Sequence, residues 1–410
     1  MTPFPLPLAQ HLGQWGAYGV YLLIGVFFGA VLEIAGFGNS RKLAAQFYFK
    51  DLTVLKVMFT AIVVAMVLIF GASAVGLLDY NLVWVNPTYL WPGIAGGLVM
   101  GVGFIVGGFC PGTSIVSAAT GKLDGLFFVL GALTGILAFG ETVGLYEDFW
   151  YSSYLGRFTL PDLFNAEAGV VVLGVVLMAL FMFWGGEQLE RIFGGSNPKA
   201  APKWRYAAAA GTVVLAYGVL AVGQPTAADH WARIADEKEA ELAERQVQVH
   251  PGEVLDLTYD SAIRVELLDV RSETDYNYFH IIDAQHVPLT EVPDVVPDLQ
   301  AKPDNTVFVV MSNDEQAATE AWKTLISHSV PNTYILGGGV NTWIETFDDQ
   351  SVRTAEAASV ADDTLDHPFE FALGSRHPAA KPDPHAYELE YEPKVELQIQ
   401  RGPIGSGCGS

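Results

Sequence analysis

The amino-acid sequence predicts a multi-domain protein, in which an α-helical polytopic membrane domain of about six spans precedes a small soluble α/β domain and a flexible C-terminal tail. The charge is divided unevenly, since residues 1–225 carry 11 acidic and 10 basic side chains and residues 226–410 carry 34 and 12. The first part contains uncharged stretches of about 20 residues, the length that a helix needs to cross a bilayer. The second part contains alternating strand and helix patterns, which indicate an α/β domain.

Composition excludes several classes of function. The excess of acidic residues in the second half would repel nucleic acid and an anionic membrane surface, so we expect no nucleic-acid partner. The chain has two cysteines, too few for a disulfide scaffold or a multi-cysteine metal site. We expect no metal, no cofactor and no catalytic residue.

Six apolar segments define the predicted membrane domain, residues 1–225. They cover about residues 17–37, 52–76, 91–109, 123–141, 166–184 and 206–224. The first sixteen residues contain no Lys or Arg, so they lack the basic region of a cleavable signal peptide, and we expect the first helix to be retained.

The basic residues predict the orientation of the spans, because cytoplasmic loops collect Lys and Arg. The loops after spans two and four contain Arg157 alone. The loops after spans one, three and five contain Arg41, Lys42, Lys50, Lys56, Lys122, Arg191, Lys199, Lys203 and Arg205. This asymmetry places both termini on the periplasmic side of a bacterial inner membrane. Glu33 and Glu141 near span ends fit either a functional role or a solvated helix end.

The third span contains a predicted break at Gly108, Cys110 and Pro111. Proline cannot continue a helix from upstream but suits the first position of a new one. The sequence therefore predicts a long helix, a turn at Cys110 and a short half-helix through Gly112 and Thr113. The N-terminus of such a half-helix attracts anions where the backbone lines a cavity. A neutral thiol at Cys110 can donate a hydrogen bond to an anionic sulfur compound; a glycine-rich packing kink with cysteine as filler explains the spacing equally well.

A resemblance favours the sulfur interpretation. Gly25 to about Phe139 resembles one module of the YeeE/YedE family of sulfur-compound transporters. The stretches that carry the resemblance are Gly25–Phe37, Asp51–Met58 and Gly107–Thr113. In that family, cysteines in glycine-rich turns contact thiosulfate or related species. The resemblance implies that Cys110, with Gly108, Pro111, Gly112 and Thr113, forms a transport site.

The chain also departs from that family. Full-length members have two related halves and further cysteines, whereas this chain has about one half, and Gly36-Phe37-Gly38-Asn39 stands where another cysteine would be sought. We therefore expect a pore to require a homodimer or a second membrane subunit.

The soluble half begins with a predicted connecting helix at residues 226–250, in which good helix formers dominate. Strands are predicted at residues 265–271, 306–311 and 333–336, with a helix at residues 315–327. Residues 251–350 resemble a rhodanese domain. The resemblance rests on Leu267-Leu-Asp-Val-Arg-Ser272, Phe279-His-Ile281 and Leu336-Gly-Gly-Gly-Val-Asn-Thr-Trp343.

The predicted rhodanese-like domain lacks the nucleophile of that family. Met311 stands where the catalytic cysteine is expected, and a methionine cannot form a thiolate or hold a persulfide. Asp314 and Glu315 in the same loop would repel a sulfur oxyanion. Ser312 has no evident base. We therefore predict a catalytically inactive binding or docking module.

The tail divides into an extended or β segment at residues 351–401 and a flexible arm at residues 402–410. Residues 387–399 alternate like an exposed strand. His367, His377 and His385 are too widely spaced for a metal site and are expected on the surface. The arm ends Gly407-Cys408-Gly409-Ser410 and resembles the Gly-Gly-Cys-Gly swinging arm of the periplasmic sulfur carrier in the Sox thiosulfate-oxidation pathway. A disordered tail without function is the alternative.

Together these features predict membrane transport or transfer of an inorganic sulfur compound, thiosulfate or sulfane sulfur. The thiol of Cys110 would contact a small sulfur-containing anion, and Cys408 would act as a mobile sulfur carrier. The expected partners are the lipid bilayer and periplasmic proteins of sulfur metabolism. The alternative is a non-transporting, membrane-anchored carrier or accessory subunit of a sulfur-oxidising complex.

Overall fold

The computed structural model describes residues 4, 6, 8–195, 203–303, 305–347, 363–367, 369, 371–387 and 389–397. The chain forms two compact units, one built mainly from residues up to 224 and the other mainly from residue 225 onward. Each unit is described by itself.

The membrane unit is helical. Its helices are α1 (Leu8–Ala35), α2 (Ser40–Ala45), α3 (Thr53–Ala74), α4 (Leu90–Gly107), α5 (Pro111–Ala119), α6 (Leu123–Thr142), α7 (Glu147–Trp150), α8 (Leu160–Phe164), α9 (Ala168–Phe193) and α10 (Trp204–Val222). Among the described residues, six helical segments are long and apolar enough to cross a membrane, and α4 and α5 together form the third. The predicted six spans, with the third broken, are confirmed.

Three of the spans, α3, α9 and α10, pack into a bundle. Their shared core consists of small and β-branched side chains, namely Val63, Val67, Val172, Val176, Ala179 and Ala216. At Gly169 a Cβ atom would lie 2.8 Å from the Cα of Leu220, so α9 and α10 approach each other closely only because this residue is glycine.

An ion pair joins α3 to α9 within the bundle. The Glu190 carboxylate accepts a hydrogen bond from Lys56 Nζ at 2.6 Å and another from the backbone N–H of Leu52 at 2.6 Å. Glu190 is buried, so its charge is stabilised by these two donors. The neighbouring Glu187 pairs with Arg205 at the start of α10. Charged residues that flank the spans thus fix how the bundle helices meet.

The second unit contains a parallel five-stranded sheet. Its strands are β1 (Gln248–Val249), β2 (Arg264–Asp269), β3 (Gln285–His286), β4 (Thr306–Met311) and β5 (Thr333–Leu336), in the order β1-β5-β4-β2-β3. Its helices are α11 (Ala227–Ala243), α12 (Pro251–Tyr259), α13 (Glu273–Tyr278), α14 (Val292–Gln300), α15 (Gln316–Ser327) and α16 (Gly339–Phe347). The predicted α/β fold is confirmed.

Alternation along the strands builds a core on each side of the sheet. In β4, Val307 and Val309 face the cluster that includes residues from α12 and α16, whereas Phe308 and Val310 face the cluster that includes residues from α14 and α15. All of β4 is buried, as expected for a central parallel strand covered on both faces. The loop that follows Met311 is therefore anchored by a fully buried strand.

Helix α11, predicted as a connector, packs against the α/β unit. Trp231 and Leu242 contact the cluster beneath α15, Ile234 is buried, and the His230 ring lies 3.0 Å from the carbonyl oxygen of Ser327. Thr226 caps the helix, because its hydroxyl accepts the N–H of Asp229 at 3.2 Å.

The C-terminal segment is also part of this unit, and we call the described parts of residues 363–397 the strap. Trp343 Nε1 donates to the Ala379 carbonyl oxygen at 2.7 Å, and Ile282 N–H donates to that of Ala380 at 2.9 Å. The Tyr334 hydroxyl donates to the carbonyl oxygen of Glu396 at 2.8 Å. Along its described residues the strap wraps around the α/β core.

The prediction of an exposed strand at residues 387–399 is wrong for the described part of that segment, which contains no strand. The N–H groups of Lys394 and Val395 donate to the Glu253 carboxylate, at 2.9 and 2.8 Å, instead of to a neighbouring strand. Leu389 and Val395 pack against the core, so the alternation reflects a chain that buries one side.

The prediction that the strap histidines lie on the surface fails for His377, which is 4% exposed. Its Nδ1 accepts the N–H of Ala379 at 3.1 Å, and its ring packs against Phe279 and Phe369. His367 is partly buried and His385 is exposed. His377 caps the turn that inserts Ala379 into the core.

Candidate functional site

The third span breaks at Cys110, as the sequence predicts. Helix α4 ends at Gly107, Gly108 adopts the left-handed conformation with φ 71°, and Cys110 is the extended residue that precedes α5. Pro111 occupies the first position of α5, where its missing N–H costs nothing. Two helices thus meet at a turn that carries a cysteine.

The Cys110 thiol is partly exposed and is positioned by Thr113. The Thr113 hydroxyl oxygen accepts the N–H of Cys110 at 3.0 Å and lies 3.3 Å from the Cys110 sulfur. The hydroxyl also has the Cys110 carbonyl oxygen as an acceptor at 3.1 Å. Ser114 donates its side-chain hydrogen to the Pro111 carbonyl oxygen at 2.7 Å. Thr113 therefore fixes the backbone and side chain of Cys110 together.

Glycines allow the turn to pack tightly. A Cβ atom on Gly107 would lie 2.5 Å from the Phe128 ring, and one on Gly108 would lie 3.2 Å from the Ser40 carbonyl oxygen. Phe109, the residue after Gly108, is buried in one cluster with Phe37, which lies in the turn after α1. The end of α1 and the Cys110 turn are thus held against each other, and of the five predicted site residues Gly108 and Thr113 are buried.

A substitution at Gly125 tests the packing of α5 on α6. A Cβ atom at Gly125 would lie 2.5 Å from the Ser117 side chain and 2.7 Å from the backbone nitrogen of Ala118. We expect Gly125→Ala to destabilise the domain by about 1–3 kcal/mol, because the backbone of α5 must shift. Gly131→Ala on the same helix meets nothing within 4 Å and is the control. Thermal unfolding in detergent measures both; equal melting temperatures would contradict this packing.

Sequence reasoning missed two polar contacts beside the turn. Glu33 at the end of α1 pairs with Lys122 Nζ at 2.9 Å, and the Ser40 hydroxyl donates to Asp124 at 2.8 Å. The Glu33–Lys122 pair is partly exposed. The sequence showed an ionisable residue near a span end, but its partner lies 89 positions away. These contacts tie α1 and α2 to the start of α6.

The loop after β4 is the second region singled out by the sequence. Met311 is fully buried in the core. Ser312 is fully buried too, and its hydroxyl oxygen accepts the N–H of Ala318 at 3.1 Å, so it caps α15 instead of facing a base. Arg271 and Asp269, both buried, lie beneath the loop, and Arg271 Nη1 donates to Asn313 Oδ1 at 3.1 Å.

Carboxylates of the chain itself occupy backbone N–H groups of this loop. Asp363 Oδ1 accepts the N–H of Asp314 at 3.0 Å, and Asp314 Oδ1 accepts that of Gln316 at 2.6 Å. The carboxylate of Glu315, also in the loop, accepts the N–H of Gly338 after β5 at 2.6 Å. Burial raises the pKa of the Asp363 carboxyl, and the neighbouring Asp314 carboxylate also raises it. The loop is therefore an unfavourable place for a further anion.

Comparison with protein families identifies both units. Residues 35–236 match the family described as Sulphur transport, and residues 250–346 match the Rhodanese-like domain. The chain thus joins a region that matches the sulfur-transport family to a region that matches the rhodanese-like domain. Comparisons with curated proteins and with solved structures gave no match.

These matches confirm the two family resemblances predicted from sequence motifs, and they support sulfur-compound transport by this fusion with a rhodanese-like domain. The sulfur-transport match runs into α11, and the rhodanese-like match ends before the strap. Cys408 lies outside the described residues. Within the described part of the chain, no group of His, Cys, Asp and Glu side chains could hold a metal ion.

Proposed function

We propose that the sulfur-transport domain moves thiosulfate or a related sulfane-sulfur anion, and that Cys110 contacts the solute. The observation that carries this proposal is the partly exposed thiol at the break between α4 and α5. The N-terminus of α5 carries a partial positive charge that attracts an anion, and the polarisable sulfur suits a sulfur-containing solute. Gly108, Pro111, Gly112 and Thr113 shape this turn.

Competition for uptake tests the solute class. Cells that accumulate labelled thiosulfate through this protein should lose the signal when excess unlabelled thiosulfate is added, and should keep it with excess sulfate. The two anions have similar size and charge, so discrimination requires contact with the outer sulfur atom. Equal competition by sulfate would contradict a thiol contact with sulfane sulfur.

We further propose that the pore is completed by a second copy of this chain or by another membrane subunit. Gly93, Gly97 and Gly101 form a small-residue face on α4, and a Cβ atom on any of them would meet nothing within 4 Å. Such faces let transmembrane helices approach closely. Beyond the part near Gly125 and Phe128 that packs against α5 and the Cys110 turn, helix α6 is mostly exposed within the described unit.

The rhodanese-like domain is proposed to be a catalytically inactive docking module. Met311 has no nucleophilic thiol, and the carboxylates of Asp314 and Asp363 surround the loop N–H groups that would otherwise hold an anion. Its partners would be periplasmic proteins of sulfur metabolism.

We expect the full-length protein to show no thiosulfate:cyanide sulfurtransferase activity, and Met311→Cys to show none either. The substituted thiol would lie at a fully buried position, beside a loop in which Asp363 accepts the N–H of Asp314 and Asp314 accepts that of Gln316. Release of thiocyanate measures the activity, with an active rhodanese as the positive control. Robust turnover by the unmodified chain would refute the assignment.

Cys408 is proposed to be a mobile sulfur carrier. Cys408 lies eleven positions after Leu397, which packs on the core, and eleven steps of extended chain span up to about 36–40 Å. A thiol with this reach can enter a partner's site while its domain stays outside. A non-transporting membrane-anchored carrier, the alternative function, would use Cys408 without moving solute through Cys110.

The proposed location is a bacterial inner membrane with both termini in the periplasm, on the evidence of the basic loops. Cys110→Ser leaves Cys408 as the only thiol of the chain. An impermeant maleimide added to right-side-out spheroplasts should label that variant, and should not label Cys408→Ser. If Cys408 is labelled only after permeabilisation, the proposed orientation is wrong.

A further inference from the structure

We propose that the loop after β4 of the rhodanese-like domain is a peptide-binding groove, closed in cis by residues 363–366 of the strap. The inference goes beyond the proposed function, and it stands whether or not Cys110 handles sulfur. Its evidence is a set of hydrogen bonds in which the loop and α16 recognise the backbone of the strap as they would a bound peptide.

Two asparagine side chains bind the strap backbone. Asn341 of α16 donates from Nδ2 to the Thr364 carbonyl oxygen at 2.9 Å, and its Oδ1 accepts the N–H of Asp366 at 2.9 Å. Asn313 of the loop donates from Nδ2 to the Asp363 carbonyl oxygen at 2.8 Å. An amide that both donates to and accepts from an extended chain holds its backbone independently of most side chains.

Two strap side chains add to this recognition. The Asp363 carboxylate accepts the N–H of Asp314, an anion bound by a backbone amide of the loop. Leu365 packs against the core cluster beneath the strap. The groove therefore accepts a segment in which an aspartate with a left-handed backbone, φ 43° in Asp363, is followed two positions later by an apolar residue.

The residues of the groove are also held by contacts that do not involve the strap. Arg271, held by Asp269, donates to Asn313 Oδ1, so the Asn313 amide must present its NH₂ group to the strap. The N–H of Asn341 donates to the Asn313 carbonyl oxygen at 3.0 Å, which joins the two recognising residues. The contact is autoinhibitory, because while the strap is bound neither a small anion nor a partner peptide reaches the Asp314 N–H.

Hydrogen exchange on the full-length protein in detergent tests the groove through matched variants. Asp363→Ala and Asp366→Ala each remove one acidic side chain from the strap, but only the Asp363 carboxylate bonds the loop; Asp366 contributes its backbone N–H. We expect amides of residues 312–318 to exchange about tenfold faster in Asp363→Ala, and at the unchanged rate in Asp366→Ala. Asn341→Ala should also accelerate exchange there.

A peptide of the sequence of residues 361–369, at millimolar concentration, should restore slow exchange to Asp363→Ala and should not restore it to Asn341→Ala, which lacks the recognising amide. Asp363→Asn, which keeps an acceptor oxygen, should lie between the wild type and Asp363→Ala. Equal exchange in Asp363→Ala and Asp366→Ala would overturn the proposal. Faster exchange spread over the whole domain would also overturn it, because the strap would then be a general structural brace and not a ligand of the loop.

Discussion

Uptake of labelled thiosulfate is expected to fall at least about tenfold when Cys110 is replaced by alanine. A hydrogen bond to a charged solute contributes about 1.5–3 kcal/mol, which corresponds to roughly a 10- to 150-fold effect when the contact is lost. Cys110→Ser should also fail largely. A serine can keep the contact with Thr113, so this variant isolates the loss of the polarisable sulfur from any change in the turn.

Ser117→Ala is the matched control for this prediction. Like Cys110→Ala, this substitution removes a single side-chain heavy atom, and Ser117 lies in α5, fully buried against α6. We expect the control to be expressed, inserted and active at the wild-type level. Normal uptake in both Cys110 variants would mean that this cysteine has only a packing role. If Ser117→Ala loses as much uptake as Cys110→Ala, the loss comes from a change in helix α5 and not from the missing thiol.

The largest effect on stability is expected for Arg271→Leu in the rhodanese-like domain. Arg271 pairs with Asp269 at 2.6 Å, both side chains are fully buried, and Arg271 Nη2 also donates to the Phe279 carbonyl oxygen. Removing the cation leaves the Asp269 carboxylate buried without its partner, which costs about 3–5 kcal/mol. For a domain of this size that lowers the melting temperature by roughly 10 °C.

Lys302→Leu provides the comparison for the buried pair. Lys302 bonds Glu266 at 2.7 Å, but both side chains are partly exposed, so water can replace the lost contact. The expected cost is about 0–1 kcal/mol. Thermal unfolding of the full-length protein, followed through the signal of the α/β domain, measures both variants. Similar melting temperatures for the two would contradict the account of Arg271 as the buried anchor beneath the loop.

The features that the sequence predicted are those encoded locally. The spans follow from apolar runs, and the break at Cys110 follows from glycine and proline next to each other. The central strands β4 and β5 follow from short apolar runs bounded by polar residues. In each case neighbouring residues alone determine the conformation, so no knowledge of the tertiary structure was needed.

The features that the sequence did not predict depend on residues far apart in the chain. Apolar and polar residues alternate at 387–399 in the same way whether an extended chain pairs with a strand or packs its side chains on a core. The backbone of this segment bonds the distant Glu253 carboxylate and not a strand, which the local pattern does not reveal. His377 was expected on the surface because nothing near it predicts burial against Phe279. The Asp363 contact with the loop joins residues 49 positions apart, beyond any local pattern.

Purified protein reconstituted into liposomes provides the most direct test of sulfur transport through this chain. Labelled thiosulfate outside should enter the vesicle lumen in the presence of the wild-type protein, and should enter protein-free vesicles and vesicles with Cys110→Ala only at the background rate. A carrier that does not transport would retain label on Cys408 without filling the lumen, and Cys408→Ser would abolish that bound signal. The account predicts that labelled thiosulfate accumulates in the lumen and that this accumulation depends on Cys110. If vesicles with the wild-type protein contain no more label than protein-free vesicles, the account is contradicted.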